Sequence, residues 1–104
     1  MQYDVYKNTD QDTNKTYPYF VDIQTSLLES LNSRAVIPLT PVKNIDTDYP
    51  KYLCPIIEVE KMHYALLTHQ ITSVPISILK KKAISAQSSR NEIIAAIDFL
   101  VTGI

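Results

Sequence analysis

The chain has 104 residues, a formal net charge of −1 and 45% hydrophobic residues. This length favours one domain, residues 1–104, with a small core, and the near-neutral charge excludes a global field that would gather nucleic acid or an anionic membrane. Cys54 is the only cysteine, which excludes an internal disulfide. No signal-peptide pattern or membrane-length apolar run is present, so a cytosolic location is the expectation.

Alternation of Gln2 and Asp4 with Tyr3 and Val5 predicts a first strand. Asn8 to Thr16 is polar, with Asn and Asp in place of glycine, and reads as a hairpin loop. Tyr17 to Gln24 follows as a strand with Tyr19, Val21 and Ile23 on one face. Thr25 to Ser33 is a connection that carries the pair Leu27-Leu28. Ala35 to Thr40 reads as a third strand with Ile37 and Leu39 together, and Pro41 to Tyr52 as a turn-rich excursion. Leu53 to Glu60 and Met62 to His69 predict a hairpin across Glu60-Lys61. Val74 to Leu79 alternates once more. Pro38, Pro41, Pro55 and Pro75 lie in or beside these strands, and proline cannot donate to a ladder. They therefore point to edges, starts or bulges in a small, curved sheet or partly open barrel. Lys80-Lys81-Lys82 reads as a solvated strand end.

The last segment changes period. Ser89-Arg90-Asn91-Glu92 fits a capping box, and Ile93, Ile97, Leu100 and Ile104 follow at helical spacing. At about 100° per residue, Asn91, Asp98 and Thr102 form a narrow polar stripe with Ala95 between them. The rest of this helix is apolar almost all round. A sheet covers one side only, which leaves the other for a second copy or a partner. The expected architecture is α+β: curved antiparallel strands followed by one C-terminal α-helix.

Chemistry-bearing groupings are sparse. His63 and His69, if on one strand, stand roughly 20 Å apart at about 3.3 Å per residue, too far to share a zinc ion bound at about 2 Å. Cys54 precedes Pro55 and reads as packing rather than as a nucleophile. Glu58 and Glu60 read as a solvated surface. Gly103 is the only glycine, so no glycine-rich phosphate loop exists. No metal, cofactor or catalytic residue is expected. Gly103 itself reads as a helix cap in the left-handed conformation, with Ile104 packed on Phe99 as in a Schellman motif. A second reading makes the tail and the Asn91–Asp98–Thr102 stripe one contact surface, where a cationic group would relieve the negative end of the helix dipole.

Met1-Gln2-Tyr3 with Val5-Tyr6, Phe20-Val21-Asp22-Ile23-Gln24, Val36-Ile37-Pro38-Leu39, Ser73-Val74-Pro75-Ile76 and the terminal Gly103-Ile104 resemble, collinearly and at matching length, the CcdB toxins of type II toxin–antitoxin modules. The resemblance implies an SH3-like barrel with a C-terminal helix, shared with the MazF/Kid ribonucleases, in a homodimer of the bacterial cytoplasm. It implies no enzymatic activity and no sequence-specific nucleic-acid binding by the toxin alone. The implied partners are the DNA gyrase A subunit, trapped on cleaved DNA, and a CcdA-type antitoxin that neutralises the toxin. The implied gyrase-contacting positions are Asn91, Asp98, Thr102, Gly103 and Ile104 on the helix, and Leu27 and Leu28 in the loop that starts at Gln24. The best-known member carries Trp immediately before the terminal Gly-Ile, and Asn where this chain has Asp98. Thr102 replaces that Trp, so a cation–π contact of about 0.5–2 kcal/mol is lost. The alternatives are a MazF/Kid-like endoribonuclease and an inactive member that binds only its antitoxin.

Overall fold

The computed structural model describes residues 1–45, 48 and 50–103. The strands are β1 (Asp4–Lys7), β2 (Tyr19–Asp22), β3 (Ser33–Pro41), β4 (Ile56–Val59), β5 (Met62–Leu66), β6 (Thr72–Pro75) and β7 (Lys82–Ser85), followed by the helix α1 (Arg90–Thr102). They form one antiparallel sheet in the order β4-β5-β3-β2-β1-β7, with β6 also paired to β3. The sheet curls into a half-barrel closed at its end by α1, an α+β SH3-like barrel. Its core is Val5, Tyr19, Val21, Ile37, Leu39, Ile57, Val59, Tyr64 and Leu66 from the sheet with Ile93 from the helix. Alternation explains the set: Tyr19 and Val21 face inward together, as do Ile37 and Leu39.

The prolines fall largely at strand limits, but Pro38 does not. It lies inside β3, the central strand, paired with Phe20 of β2. Ile23 N–H donates to the Ala35 carbonyl and Leu67 N–H to the Pro38 carbonyl. Backbone groups of β3 therefore point alternately to β2 and away from it, and Pro38 points away. On that side β3 pairs with β6 up to Val36 and with β5 from Leu39. The missing donor sits at the change of partner, where no ladder bond is lost. The expectation that this proline marks an edge, start or bulge is thus corrected.

Other limits also shift. Tyr3 lies outside the first strand, buried at φ 70°. The strand expected over Val74 to Leu79 stops at Pro75 and turns into a 3-10 turn over Ile76–Ile78. β7 was not anticipated: after the lysines it offers only Ala83 and Ile84 as apolar residues, too few for a pattern. Lys82, its first residue, is exposed and pairs with Asp4 at 3.2 Å. The β4–β5 hairpin turns on Glu60-Lys61 as expected, with Val59 opposite Met62. Both turn residues have positive φ, 51° and 68°. This is a type I′ turn, which matches strand twist and normally uses Asn-Gly. The capping box is not formed. Ser89 has ψ 11° and makes no side-chain cap bond, because a 3-10 turn over Gln87–Ser89 runs directly into α1. At the start of that turn, one residue before its cap position Ala86, Ser85 Oγ accepts from Gln87 N–H at 3.2 Å.

Candidate functional site

α1 buries Ile93 and Ala96 and packs against the turns Thr68–Gln70 and Gln87–Ser89. Its opposite side stays bare: Asn91, Ala95, Asp98, Val101 and Thr102 are exposed, Val101 to 75%. The helix ends at Gly103, with φ 74° and ψ 16° and its N–H donated to the Phe99 carbonyl at 2.9 Å. This is the single bond of the αL cap. Ile104, to which the expected packing on Phe99 was assigned, lies outside the described residues. A Cβ on Gly103 would meet nothing within 4 Å, so the glycine is required by its backbone angle and not by crowding.

The polar stripe is electrostatically unbalanced. α1 has no basic residue in its last turn, while Asp98 places a carboxylate near the negative end of the dipole. Thr102 turns its hydroxyl back, donating to the Asp98 carbonyl at 2.7 Å. The surface offered at the helix end is therefore acceptor-rich, a shape suited to a cationic or N–H-bearing group.

Beside the stripe lies a groove of about 560 Å³ lined by Lys51, Tyr52, Pro55, Ile56, Glu92, Ala95 and Phe99. Tyr52 and Phe99 face each other at 6.4 Å between ring centroids. Sequence reasoning missed this groove. Glu92, Ala95 and Phe99 share a helix face, but nothing in the pattern shows that the segment before β4 folds against them.

The second group of expected contacts lies on the connection from β2 to β3. Ser26–Leu28 is a 3-10 turn in which Thr25 Oγ1 accepts from Leu27 N–H at 3.4 Å. Leu27 is 88% exposed, and Leu28 is exposed as well. Behind the loop, Arg34 and Asp22 are both buried, with Arg34 Nη2 2.8 Å and Nε 3.0 Å from Asp22 Oδ2. The helix stripe and the leucine pair stand on separate elements of the fold.

The groups considered for chemistry are dispersed. Cys54 is buried, and burial pushes its thiol pKa up against a smaller opposing effect of the Thr68 backbone hydrogen bond. This is the opposite of an activated thiolate. His63 is on β5 and His69 in the Thr68–Gln70 turn. Glu60 does not share a strand face with Glu58: it lies in the hairpin turn, where its Oε2 accepts from the Tyr19 hydroxyl at 3.2 Å. Burial, then that carboxylate, pushes Tyr19 up to about 12. Among the described residues no group of three or more His, Cys, Asp or Glu side chains is arranged to hold a metal ion. Nor is any helix among them long and apolar enough to cross a membrane.

Among the described residues the fold is a curled antiparallel barrel followed by a single α-helix with an αL-capped glycine. A family model described as CcdB protein matches residues 2–103. The chain belongs to the CcdB family. For a CcdB chain the activity is that of the toxin of a toxin–antitoxin module. The helix end and the leucine loop of this CcdB chain are both exposed.

Proposed function

We propose that this chain poisons DNA gyrase: it binds the gyrase A subunit through Asn91, Asp98, Thr102, Gly103 and Ile104 together with Leu27 and Leu28, and holds the enzyme on cleaved DNA. It acts by contact and carries out no bond chemistry of its own. It works as a homodimer in the bacterial cytoplasm and is neutralised by a CcdA-type antitoxin. The observation that carries this reading is the family match over residues 2–103 on a chain whose terminal helix leaves an apolar and acceptor-rich side bare.

Purified gyrase with ATP and supercoiled DNA tests it. Addition of the protein should accumulate cleaved DNA, and removal of Gly103 and Ile104 should abolish that accumulation while leaving the melting curve nearly unchanged. No cleavage complex with the cognate gyrase would overturn the reading. An endoribonuclease finds little support. Glu58 stands opposite His63 across β4 and β5, but both are exposed, and RNA cleavage also requires a basic groove around the acid–base pair. Cleavage of RNA by the pure protein would reverse this choice. Growth unaffected by expression, with antitoxin binding retained, would mark the chain as an inactive member.

A further inference from the structure

Leu27 is the more exposed of the two leucines, and nothing packs it into place. Its position is set by the backbone of the loop, whose internal bonds are short-range: Leu28 N–H to the Thr25 carbonyl, Glu29 N–H to Ser26 and Leu31 N–H to Leu28. Bonds of this kind define a turn without fixing its direction relative to the sheet.

That direction is fixed from the sheet side, chiefly by the side chain of Gln24. Gln24 follows β2 at the mouth of the loop, and its carboxamide bridges both ends. Nε2 donates to the Leu28 carbonyl at 3.1 Å and to the Ser33 carbonyl at 3.2 Å, and Oε1 accepts from Ala35 N–H at 3.0 Å. The backbone of Gln24 is held too. Its N–H donates to Asp22 Oδ1 at 3.0 Å, and its carbonyl accepts from Arg34 Nη2 at 3.2 Å. Arg34 also reaches Glu29, at 3.2 Å, on the far side of the leucines. The buried Asp22–Arg34 pair is thus the anchor, Gln24 the arm, and the Leu27–Leu28 turn what the arm holds. A contact loop held in advance saves the ordering cost of binding.

We propose that Gln24 is the positioning residue of the leucine loop, presenting Leu27 and Leu28 to the gyrase A subunit in their bound direction; this rests on the reading of that loop as a gyrase contact. Two variants separate the arm from the sheet. Gln24→Met keeps the length and removes every polar atom. Gln24→Glu keeps an acceptor for Ala35 N–H but loses the donors to Leu28 in the loop and to Ser33 at the start of β3. Affinity for the purified gyrase A subunit, amide exchange over residues 27–31 and the thermal midpoint are measured for each, with Leu27→Ser as the direct-contact reference.

Both Gln24 variants should bind about tenfold more weakly and exchange about tenfold faster in the loop, the scale set by losing one to two net hydrogen bonds. Exchange in β2, and in β3 from Ala35 onward, should stay as in the parent for the Glu variant. If Gln24→Met does not fold, the Glu variant decides alone. Parental binding by Gln24→Glu would overturn the proposal, since Gln24 would then serve only the sheet. Weaker binding with unchanged loop exchange would overturn it as well. Should Leu27→Ser weaken binding while both Gln24 variants bind as the parent does, the positioning role falls and the loop contact stands. Should Leu27→Ser bind as the parent does, the contact reading itself falls, and the role of Gln24 in binding falls with it.

Discussion

Replacing Arg34 by Met should cost this fold about 3 kcal/mol. Arg34 is 4% exposed and Asp22 1%, and the guanidinium meets Asp22 Oδ2 through both Nη2 and Nε. Methionine fills the aliphatic space but leaves the carboxylate in a site from which water is excluded. Breaking one side of a buried pair typically costs 3–5 kcal/mol. The low end applies here because Asp22 keeps the Gln24 N–H at 3.0 Å and the Met1 ammonium at 3.3 Å. Against a total stability of about 5–15 kcal/mol for a small domain, this is a large share, equivalent to a drop in melting midpoint of about 12 °C or more. Urea titration at pH 7 reads it directly, with the slope checked so that a changed unfolded state is not mistaken for lost stability. The double variant Asp22→Asn/Arg34→Met removes both charges and should recover most of the loss. A single-variant cost below about 1 kcal/mol, or a double variant no better than the single, would refute the reasoning that an uncompensated charge causes the effect.

Lys61→Gly should stabilise by about 0.5–1 kcal/mol in the same titration, since relief of a left-handed side chain outweighs the added unfolded-state freedom; a loss would show that the turn is not strained at Lys61. Tyr19, held up to about 12 by burial and Glu60, stays protonated when folded but ionises near 10 when unfolded. Its contribution is therefore complete below pH 10 and lost as pH rises from 10 to about 12. Tyr19→Phe should flatten that part of the stability profile and remove the last tyrosine step from the ultraviolet titration. Asp98→Asn should stabilise α1 by about 0.3–1 kcal/mol by easing the dipole. It should also weaken gyrase binding and make the remaining binding less sensitive to salt. Tighter binding by the Asn variant would contradict a cationic partner at the helix end.

Much of the barrel was legible because its strands alternate. Tyr19 with Val21 and Ile37 with Leu39 declare a half-buried sheet, and the change to helical spacing at Ile93 declares α1. Pro38 misleads because proline is read against a ladder, while the ladder beside β3 changes partner at that residue, and no local pattern encodes a change of partner. The capping box misleads for a related reason. Ser89 and Glu92 have the right identities and spacing, but the 3-10 turn over Gln87–Ser89 starts the helical path two residues earlier, so Ser89 is already too helical to cap. The Tyr52–Phe99 groove joins residues distant along the chain and the Asp22–Gln24–Arg34 arrangement closes across a single loop, and neither leaves a periodic trace.

The helix end is where the sequence departs most clearly from what helix stability alone favours. A sequence selected only for stability would place Lys or Arg in the last turn of α1, as the dipole favours. This one places neither there, sets Asp98 one turn before the end, leaves Val101 bare and folds the Thr102 hydroxyl onto the helix. Local choices that run against stability concentrate where a surface serves something else. The aromatic ring that the best-known relative carries before its terminal Gly-Ile is a group that attracts cations through its face. A carboxylate one turn earlier attracts them by charge. On this argument the Thr for Trp exchange changes the means of recognition more than its object. A proposed contact made this way depends on salt, because an exposed carboxylate is screened within about 10 Å at 0.1 M ionic strength.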